Sequence, residues 1–463
     1  MAEITTIILA AGKGVRMCSP LPKVLHPVCG RPMINYPLNV AKAIGSKKIL
    51  VVTPPKNQES VVSHLKDFPF VKIVEQKKPL GTADAVKVCA PALNQEKGYV
   101  VILCGDTPLI KSETLKSFIA RVKAVDATLG FVTTRVENPT GYGRVVRDAA
   151  EEVERIVEEK EATPAEKNIK EVNTGIYCVK SGWLFSVLKT LKPHPVTGEY
   201  YLTDIVEAAI EAGEKTVGFL SEDAEAFMGV NTPAHLALAN EGMRDRIIGE
   251  WMAKGVSFLD PRHVYLESDV AIGAGTIIHP QVYLYGKTKI GKNCVIECGA
   301  ILKNMIVGEG VHIKPYCVLE ESRIENDAVV GPFARLRPGS HVGAQCRIGN
   351  FVELKKTKMG AGAKANHLSY LGDATIGAGT NIGCGTITCN YDGVKKHQTK
   401  IGKKVFVGSD VQFVAPVTIG DGAYIGAGST ITENVPAGSL GIARGRQVNK
   451  KNYVRNHRLH RKT

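Results

Sequence analysis

Three stretches of this 463-residue chain bring together side chains that could do chemistry. The apolar run Ile4–Ala10 leads straight into Ala11-Gly12-Lys13-Gly14-Val15-Arg16, a glycine-rich turn carrying basic residues. Such a turn lets backbone N–H groups approach a phosphate while lysine and arginine offset its charge. It lacks the third glycine of GxGxxG and is no Walker A loop, so neither generic label fits. The second stretch is Cys104-Gly105-Asp106, after the apolar run Tyr99–Leu103. An aspartate at a strand end can hold Mg²⁺ against phosphates. The third runs from about Gly360 to Leu371, carries His367 and Tyr370, and is followed by the polar segment Thr388–Lys400. Taken singly, each has a plainer reading: a turn, a capping aspartate, a surface histidine.

The elements that must position these groups differ between the two halves. In the first, apolar runs at Ile49–Thr53, Val71–Glu75, Tyr99–Leu103, Thr128–Thr134 and Val172–Val179 alternate with helical stretches. The helical stretches are Asn57–Lys66, Ala83–Cys89, Ser112–Ala124 and Thr203–Ala212. That alternation predicts a Rossmann-like α/β domain, a mostly parallel sheet covered by helices, with ligands at the carboxyl ends of its strands. Residues 232–252 read as a helix joining the halves.

From Ile272 the second half counts in sixes: Ile272, Ile278, Leu284, Ile290, Ile296 and Leu302. After short steps the count resumes at Val307 and Ile324, and again at Ile376 and Ile401, ending at Ile431. Glycine often follows the aliphatic residue, as in Ile290-Gly291 and Val307-Gly308, and is read as permitting a tight corner. One large apolar side chain per six residues, held over so long a stretch, is the signature of a hexapeptide parallel β-helix. The count breaks at about Gly360–Leu371 and at Thr388–Lys400, and breaks in a rigid solenoid are natural places for a site. The expected domains are 1–231, the linker helix 232–252, and a solenoid with a basic tail over 253–463.

Bulk composition narrows the partners. The net charge is +14, but the segment Arg444–Thr463 holds eight lysines or arginines and no acid. A nucleic-acid surface would carry its charge on a folded face, so anionic small substrates fit better and no nucleic acid is expected. The eleven cysteines show no CxxC and no zinc pattern, and most lie among apolar residues, which suggests a reducing cytosol. No apolar run reaches about 18 residues, so no membrane span is expected. The N-terminus lacks the basic start of a signal peptide, and a cytoplasmic location is expected.

The segment Leu9–Met17 followed by Pro22-Lys23 resembles the signature of sugar-phosphate nucleotidyltransferases, and the repeat resembles left-handed β-helix acyltransferases. Together, in this order, they resemble the bifunctional N-acetylglucosamine-1-phosphate uridyltransferase/glucosamine-1-phosphate acetyltransferase family, over nearly the whole chain. The resemblance implies UTP and N-acetylglucosamine-1-phosphate as substrates of the first domain, with Mg²⁺ as cofactor. It places Leu9, Ala10, Ala11, Gly12, Lys23, Gln76, Gly81 and Thr82 on the nucleotide, with Cys104 and Gly105 at the same strand end. It places Gly143, Glu158, Asn173 and Asn231 on the sugar, Asp106 and Asn231 on the metal, and Arg16 and Lys23 among the catalytic charges. Cys104 departs from the tyrosine common among relatives.

For the solenoid the resemblance implies acetyl transfer from acetyl-CoA to glucosamine-1-phosphate. His367 would be the general base, and Arg337 and Lys355 would hold the sugar phosphate. Tyr370, Asn381, Asn390 and Tyr391 would place sugar and thioester, while Ser409, Ala427 and Arg444 would contact coenzyme A. Cys384 stands where alanine is common. The resemblance also implies acetylation before uridylyl transfer, and a homotrimer with shared acetyl-transfer sites. Two rival readings are a single-function nucleotidyltransferase with a regulatory solenoid, and a non-catalytic assembly module. The His367/Tyr370 stretch and the Asn390-Tyr391 loop count against the first; Arg16, Lys23, Asp106 and Asn231 count against the second.

Overall fold

A computed structural model describes residues 3–12, 14–55, 59–93, 97–195 and 197–454. Lys13 of the glycine-rich turn and the last part of the basic tail lie outside the described residues. The chain divides into two units, Met1–Arg244 and Asp245–Thr463. The division falls inside the helix Pro233–Ala253, at the place where a joining helix was expected.

The first unit is built on a nine-stranded sheet. Its main path runs Thr216–Ser221, Leu129–Arg135, Glu171–Lys180, Tyr99–Cys104, Ile4–Leu9, Lys48–Thr53, Val71–Glu75. Along this path only Glu171–Lys180 is antiparallel to its neighbours. A ribbon, Arg144–Arg147 with Val153–Val157, branches from that strand. The strands Ile4–Leu9 and Tyr99–Cys104 are nearly continuous apolar runs because helices cover both faces. Helices such as Ser112–Ala124 bury one stripe, Leu115, Phe118, Ile119 and Val122, with Phe118 and Val122 against Gly130 of the strand Leu129–Arg135. Thr216–Ser221 had no sequence reading; half its residues stay partly exposed at the sheet edge, so its apolar signal is weak.

The second unit stacks short parallel strands on three faces, in coils of about 17–18 residues, as a left-handed parallel β-helix. The six-count residues are the core: Ile272, Leu284, Ile313, Leu336 and Phe413 are all buried. The expected break at Gly360–Leu371 does not exist. Met359, Ala365 and Leu371 occupy the buried positions there, and the strand Lys364–Gly372 runs unbroken against Arg347–Lys355. Met and Ala simply lack the branched side chain that made the count visible. The second break is real: Tyr391–Lys396 is exposed and loops out between Ile387–Cys389 and Thr399–Ile401.

The glycines after the aliphatic residues have a different cause from the one expected. A Cβ on Gly291 would lie 2.4 Å from the Gly308 carbonyl oxygen, and one on Gly273 would lie 2.6 Å from the Gly291 backbone. Contact between successive coils, rather than a corner, excludes a side chain. The solenoid cysteines have an equally local explanation. Cys294 donates to the Gly308 carbonyl at 3.1 Å and Cys346 to that of Gly360 at 3.0 Å. Thr276 and Thr380 donate to the Gly291 and Gly402 carbonyls from the same place in their coils. Thiol and hydroxyl are interchangeable caps here.

Gly291→Ala is expected to destabilise the solenoid by about 1–3 kcal/mol, the cost of overpacking. Urea unfolding, with Gly445→Ala as a comparison in open space at an ordinary backbone angle, checks it. Equal small losses in both variants would show that coil contact is not the constraint.

Candidate active sites

In the first unit, ladder bonding continues one residue past three strand ends. Ala10 N–H donates to Val52 O, Gln76 N–H to Thr53 O and Gly105 N–H to Leu9 O, each at 2.9 Å. Val230 N–H donates to Asp106 O, also at 2.9 Å. These bonds bring Leu9, Gln76, Asp106 and Asn231 to one edge of the sheet, where two cavities adjoin. The larger, about 530 Å³, is lined by Leu9, Ala10, Ala11, Gly12, Lys23, Gln76, Gly81 and Thr82. The smaller, about 190 Å³, is lined by Gly143, Asn173 and Asn231. Leu9, Thr82, Cys104, Asp106 and Glu158 face both.

Lys23 stands at the junction. Its ammonium pairs with Asp106 and donates to Asn231 Oδ1 at 3.1 Å. Gly105 lines neither cavity; it packs beneath, where a Cβ would lie 3.0 Å from Leu9 O. Gly81 holds φ +111° and a Cβ there would come within 2.3 Å of Tyr200 O, so only glycine closes this wall. Gln76 donates to Gly81 O at 3.1 Å and to Asp84 at 2.8 Å, fixing the same turn. Cys104 touches Gly175, and burial followed by the Asp106 charge pushes its thiol up to about 12, so it is no nucleophile. Arg16 is exposed on the turn Val15–Met17 and lines neither cavity. Sequence reasoning missed Glu199 and Tyr201 on the larger cavity and Tyr142 on the smaller. Tyr142 stands next to Gly143, which the sequence singled out, while Glu199 and Tyr201 carry no spacing signal.

In the solenoid, Asn350 and His367 are paired across neighbouring coils, and His367 Nδ1 lies 3.2 Å from Asn350 Oδ1. The next residues up this corner are Cys384, Ser409 and Ala427. Asp410 N–H donates to Cys384 O, Gly428 N–H to Ser409 O, and Arg444 reaches Ala427 O at 2.6 Å. Positions far apart in sequence thus form one column beside His367. Asn381 is on the strand paired with Lys364, leading into the same corner.

A second cluster lies further along these strands. Arg337 pairs in register with Lys355, and Lys355 with Gly372. The Lys355 side chain is buried and its ammonium meets Asp373 at 2.6 Å; Asn390 donates to the same carboxylate at 2.5 Å. Burial raises Asp373, but the Lys355 and Asn390 donors outweigh it and hold the carboxyl below the usual range. Tyr370 and Asn390 close on Gly372, where a Cβ would lie 2.5 Å from the Tyr370 hydroxyl. Tyr391 is exposed on the loop and bridges to Lys396. The Lys355 ammonium pulls the pKa of exposed Lys396 down. Two ammoniums held together in this way favour a bound anion. Lys396 was not singled out in the sequence because lysines are common in polar loops.

A sheet with its ligand edge and a hexapeptide solenoid define a two-part transferase. The description "Nucleotidyl transferase" fits residues 5–253, and "Bacterial transferase hexapeptide (six repeats)" fits 269–304 and 398–433. The chain is 48% identical to "Bifunctional protein GlmU" of Pelobacter propionicus over 453 residues, covering 98% of each. It is 47% identical to that of Geotalea uraniireducens, covering 98% of this chain and 99% of the relative. It is 44% identical to that of a Geobacillus species, covering 98% of each. The chain belongs to the family of bifunctional GlmU proteins.

Glu158 yields a pH test. Burial raises its carboxyl, with the Thr203 hydroxyl at 3.2 Å opposing weakly. The ionised form is therefore the costly one, and the first unit loses stability as pH rises through the carboxylate range. Glu158→Gln keeps the Thr203 bond and removes that loss. Its unfolding temperature is expected to exceed wild type by about 2–4 °C at pH 8, with the gap closing as pH falls. Calorimetry across pH checks this, and a gap that widens in acid would reverse the assignment.

Proposed function

We propose that the chain acetylates glucosamine-1-phosphate with acetyl-CoA at the solenoid. At the first unit it then transfers a uridylyl group from UTP to N-acetylglucosamine-1-phosphate, releasing pyrophosphate. The observation that carries this reading is the convergence of Lys23, Asp106 and Asn231 where a large and a small cavity adjoin. A nucleotide and a sugar phosphate need such neighbouring chambers with positive charge between them.

Asp106 and Asn231 offer a carboxylate and an amide oxygen, a hard pair that suits Mg²⁺ completed by phosphate and water. The Lys23 ammonium bridges both oxygens, which supports reading them as a cation-binding pair. Bound Mg²⁺ would neutralise the triphosphate and the departing pyrophosphate. A phosphate oxygen of the sugar phosphate attacks the α-phosphorus as the bond to pyrophosphate breaks. A phosphate monoester is already a nucleophile, so the protein's work is alignment and charge. Gly12 and Lys23 face the triphosphate, Gln76 and Gly81 the base, and Gly143, Glu158 and Asn173 the sugar. Arg16 reaches the triphosphate from the solvent side.

At the solenoid, Asn350 Oδ1 accepts the His367 Nδ1 proton, leaving Nε2 free as a base. His367 takes a proton as the sugar amine attacks the thioester carbonyl, and coenzyme A leaves as its thiol. Arg337, Lys355 and Lys396 hold the sugar phosphate, while Tyr370, Asn381, Asn390 and Tyr391 place sugar and thioester. Cys384, Ser409, Ala427 and Arg444 follow coenzyme A up the column. The chain turns at Leu368, φ +31°, between His367 and the Lys355 cluster. The reading includes a homotrimer in which a neighbouring copy completes each acetyl-transfer site. The exposed stacked column Tyr316, Phe333 and Phe351, rings 5.4 Å apart and next to exposed Leu368, supplies an apolar face for it. Its cysteines are all free, which suits a reducing cytoplasm, and no described helix is long and apolar enough to cross a membrane.

Mass spectrometry of protein with glucosamine-1-phosphate, acetyl-CoA, UTP and Mg²⁺ should detect UDP-N-acetylglucosamine. Product only when N-acetylglucosamine-1-phosphate is supplied would favour a single-function enzyme. His367→Ala should cut acetyl transfer about 10²–10⁴-fold and spare uridylyl transfer; Asp106→Ala should do the reverse. Sedimentation equilibrium should give three times the chain mass, and a monomer at working concentration would remove the shared site.

A further inference from the structure

The smaller cavity has a wall that the uridylyl mechanism uses without explaining. Gly141, Tyr142 and Gly143 line it beside Asp106, Asn173 and Asn231. Gly141 stands at φ +87° with no heavy atom within 4 Å of an added Cβ, so no packing holds it. Loops of this kind drift unless their backbone is tied.

The ties come from behind. Arg144 is 1% exposed, the most deeply buried guanidinium of the first unit's core. One arm, Nη1, donates to the Tyr142 carbonyl. The other, Nη2, donates to Glu159 Oε2 at 2.6 Å. The same Glu159 oxygen accepts from Gly141 N–H at 3.1 Å. Gly141, Glu159, Arg144 and Tyr142 therefore form a closed ring of bonds around the loop. Gly141 N–H, followed by Arg144, holds the Glu159 carboxyl below its usual range, so it stays ionised. On the far side Asn173 N–H donates to Gly143 O at 2.9 Å and completes the frame. Neighbouring acids thus do opposite jobs: Glu158 faces the cavities, and Glu159 ties the loop.

We infer that the Arg144–Glu159 pair is a positioning clamp that sets the sugar-phosphate wall of the first unit. The inference rests on the uridylyl-transfer reading. Neither residue touches substrate; both act through the Gly141–Gly143 backbone. The clamp controls affinity for the sugar phosphate and leaves the nucleotide alone, because this loop lines the smaller cavity and not the larger. The planar fork reaches its two partners from separate nitrogens, Nη1 and Nη2; a lysine at 144 carries all its donors on one nitrogen and would have to draw the Tyr142 carbonyl and the Glu159 carboxylate to a single point. A buried guanidinium also has to keep its counter-charge, which is why the pair is charged on both sides.

The test is steady-state kinetics of Glu159→Gln and Arg144→Lys, with KM measured separately for N-acetylglucosamine-1-phosphate and UTP. Glu159→Gln, on a partly exposed residue, guards against an Arg144 variant that fails to fold, and acetyl transfer by the solenoid calibrates the concentration of active chain. KM for the sugar phosphate is expected to rise about tenfold in both variants, with KM for UTP within about twofold of wild type. Equal rises in both constants, or a lowered unfolding temperature with unchanged constants, would overturn the clamp while wild-type turnover upheld the uridylyl reading. No uridylyl transfer by wild type would overturn both.

Discussion

A parallel strand leaves each N–H facing a carbonyl one strand over, and both units are organised by meeting that demand past the ends of regular strands. In the first unit, Ala10, Gln76 and Gly105 each extend the ladder by one residue, and Val230 hangs on Asp106. The side chains that follow are delivered to one edge without a long loop. In the solenoid the same pairing runs from coil to coil and stacks Asn350 on His367 and Arg337 on Lys355. Each site is thus a by-product of backbone bonding that the fold needs in any case.

The charged groups at these sites are tolerable only in company. Lys23, Lys355 and Arg144 are each largely removed from water; Lys23 and Arg144 are each met by a carboxylate and a further oxygen, and Lys355 by the Asp373 carboxylate, to which Asn390 also donates. A buried ion without those partners would cost several kcal/mol. Glu158 is the exception, since it faces the cavities with only a hydroxyl to meet it and burial raises its carboxyl. A group left under-satisfied beside a cavity is poised to bind, and the folded unit bears that cost.

Rigidity separates the two sites. The corner column rests on coils in backbone contact, so close that glycine is the only residue that fits at Gly383 or Gly408. The wall of the smaller cavity is a loop, and its position depends on a ring of side-chain bonds instead. A long nucleotide tail can be laid along a stiff edge, whereas a sugar ring needs a wall fitted to it.

The repeat, the alternating half and the positions of Gly12, Lys23, Asp106 and His367 were legible in the sequence. Periodicity and motif spacing report local geometry, and a solenoid is almost wholly local. Where the count relied on branched side chains it misread Met359 and Ala365 as a break, because burial and bulk are different properties. The glycines following the aliphatic residues were visible, but their cause lay in the neighbouring coil. Glu199 was out of reach, since only the folding of distant segments brings it to the larger cavity, and Asn350, since it acts through His367 on the next coil; Tyr142 stood beside Gly143 and was within reach. Tertiary structure alone decided that Lys23 lies between Asp106 and Asn231, 83 and 208 residues away. It also made Arg144, one residue past Gly143, a buried fork. Residue types and spacing determine what each segment can do; only long-range packing decides which segments meet, because those contacts leave no period in the sequence.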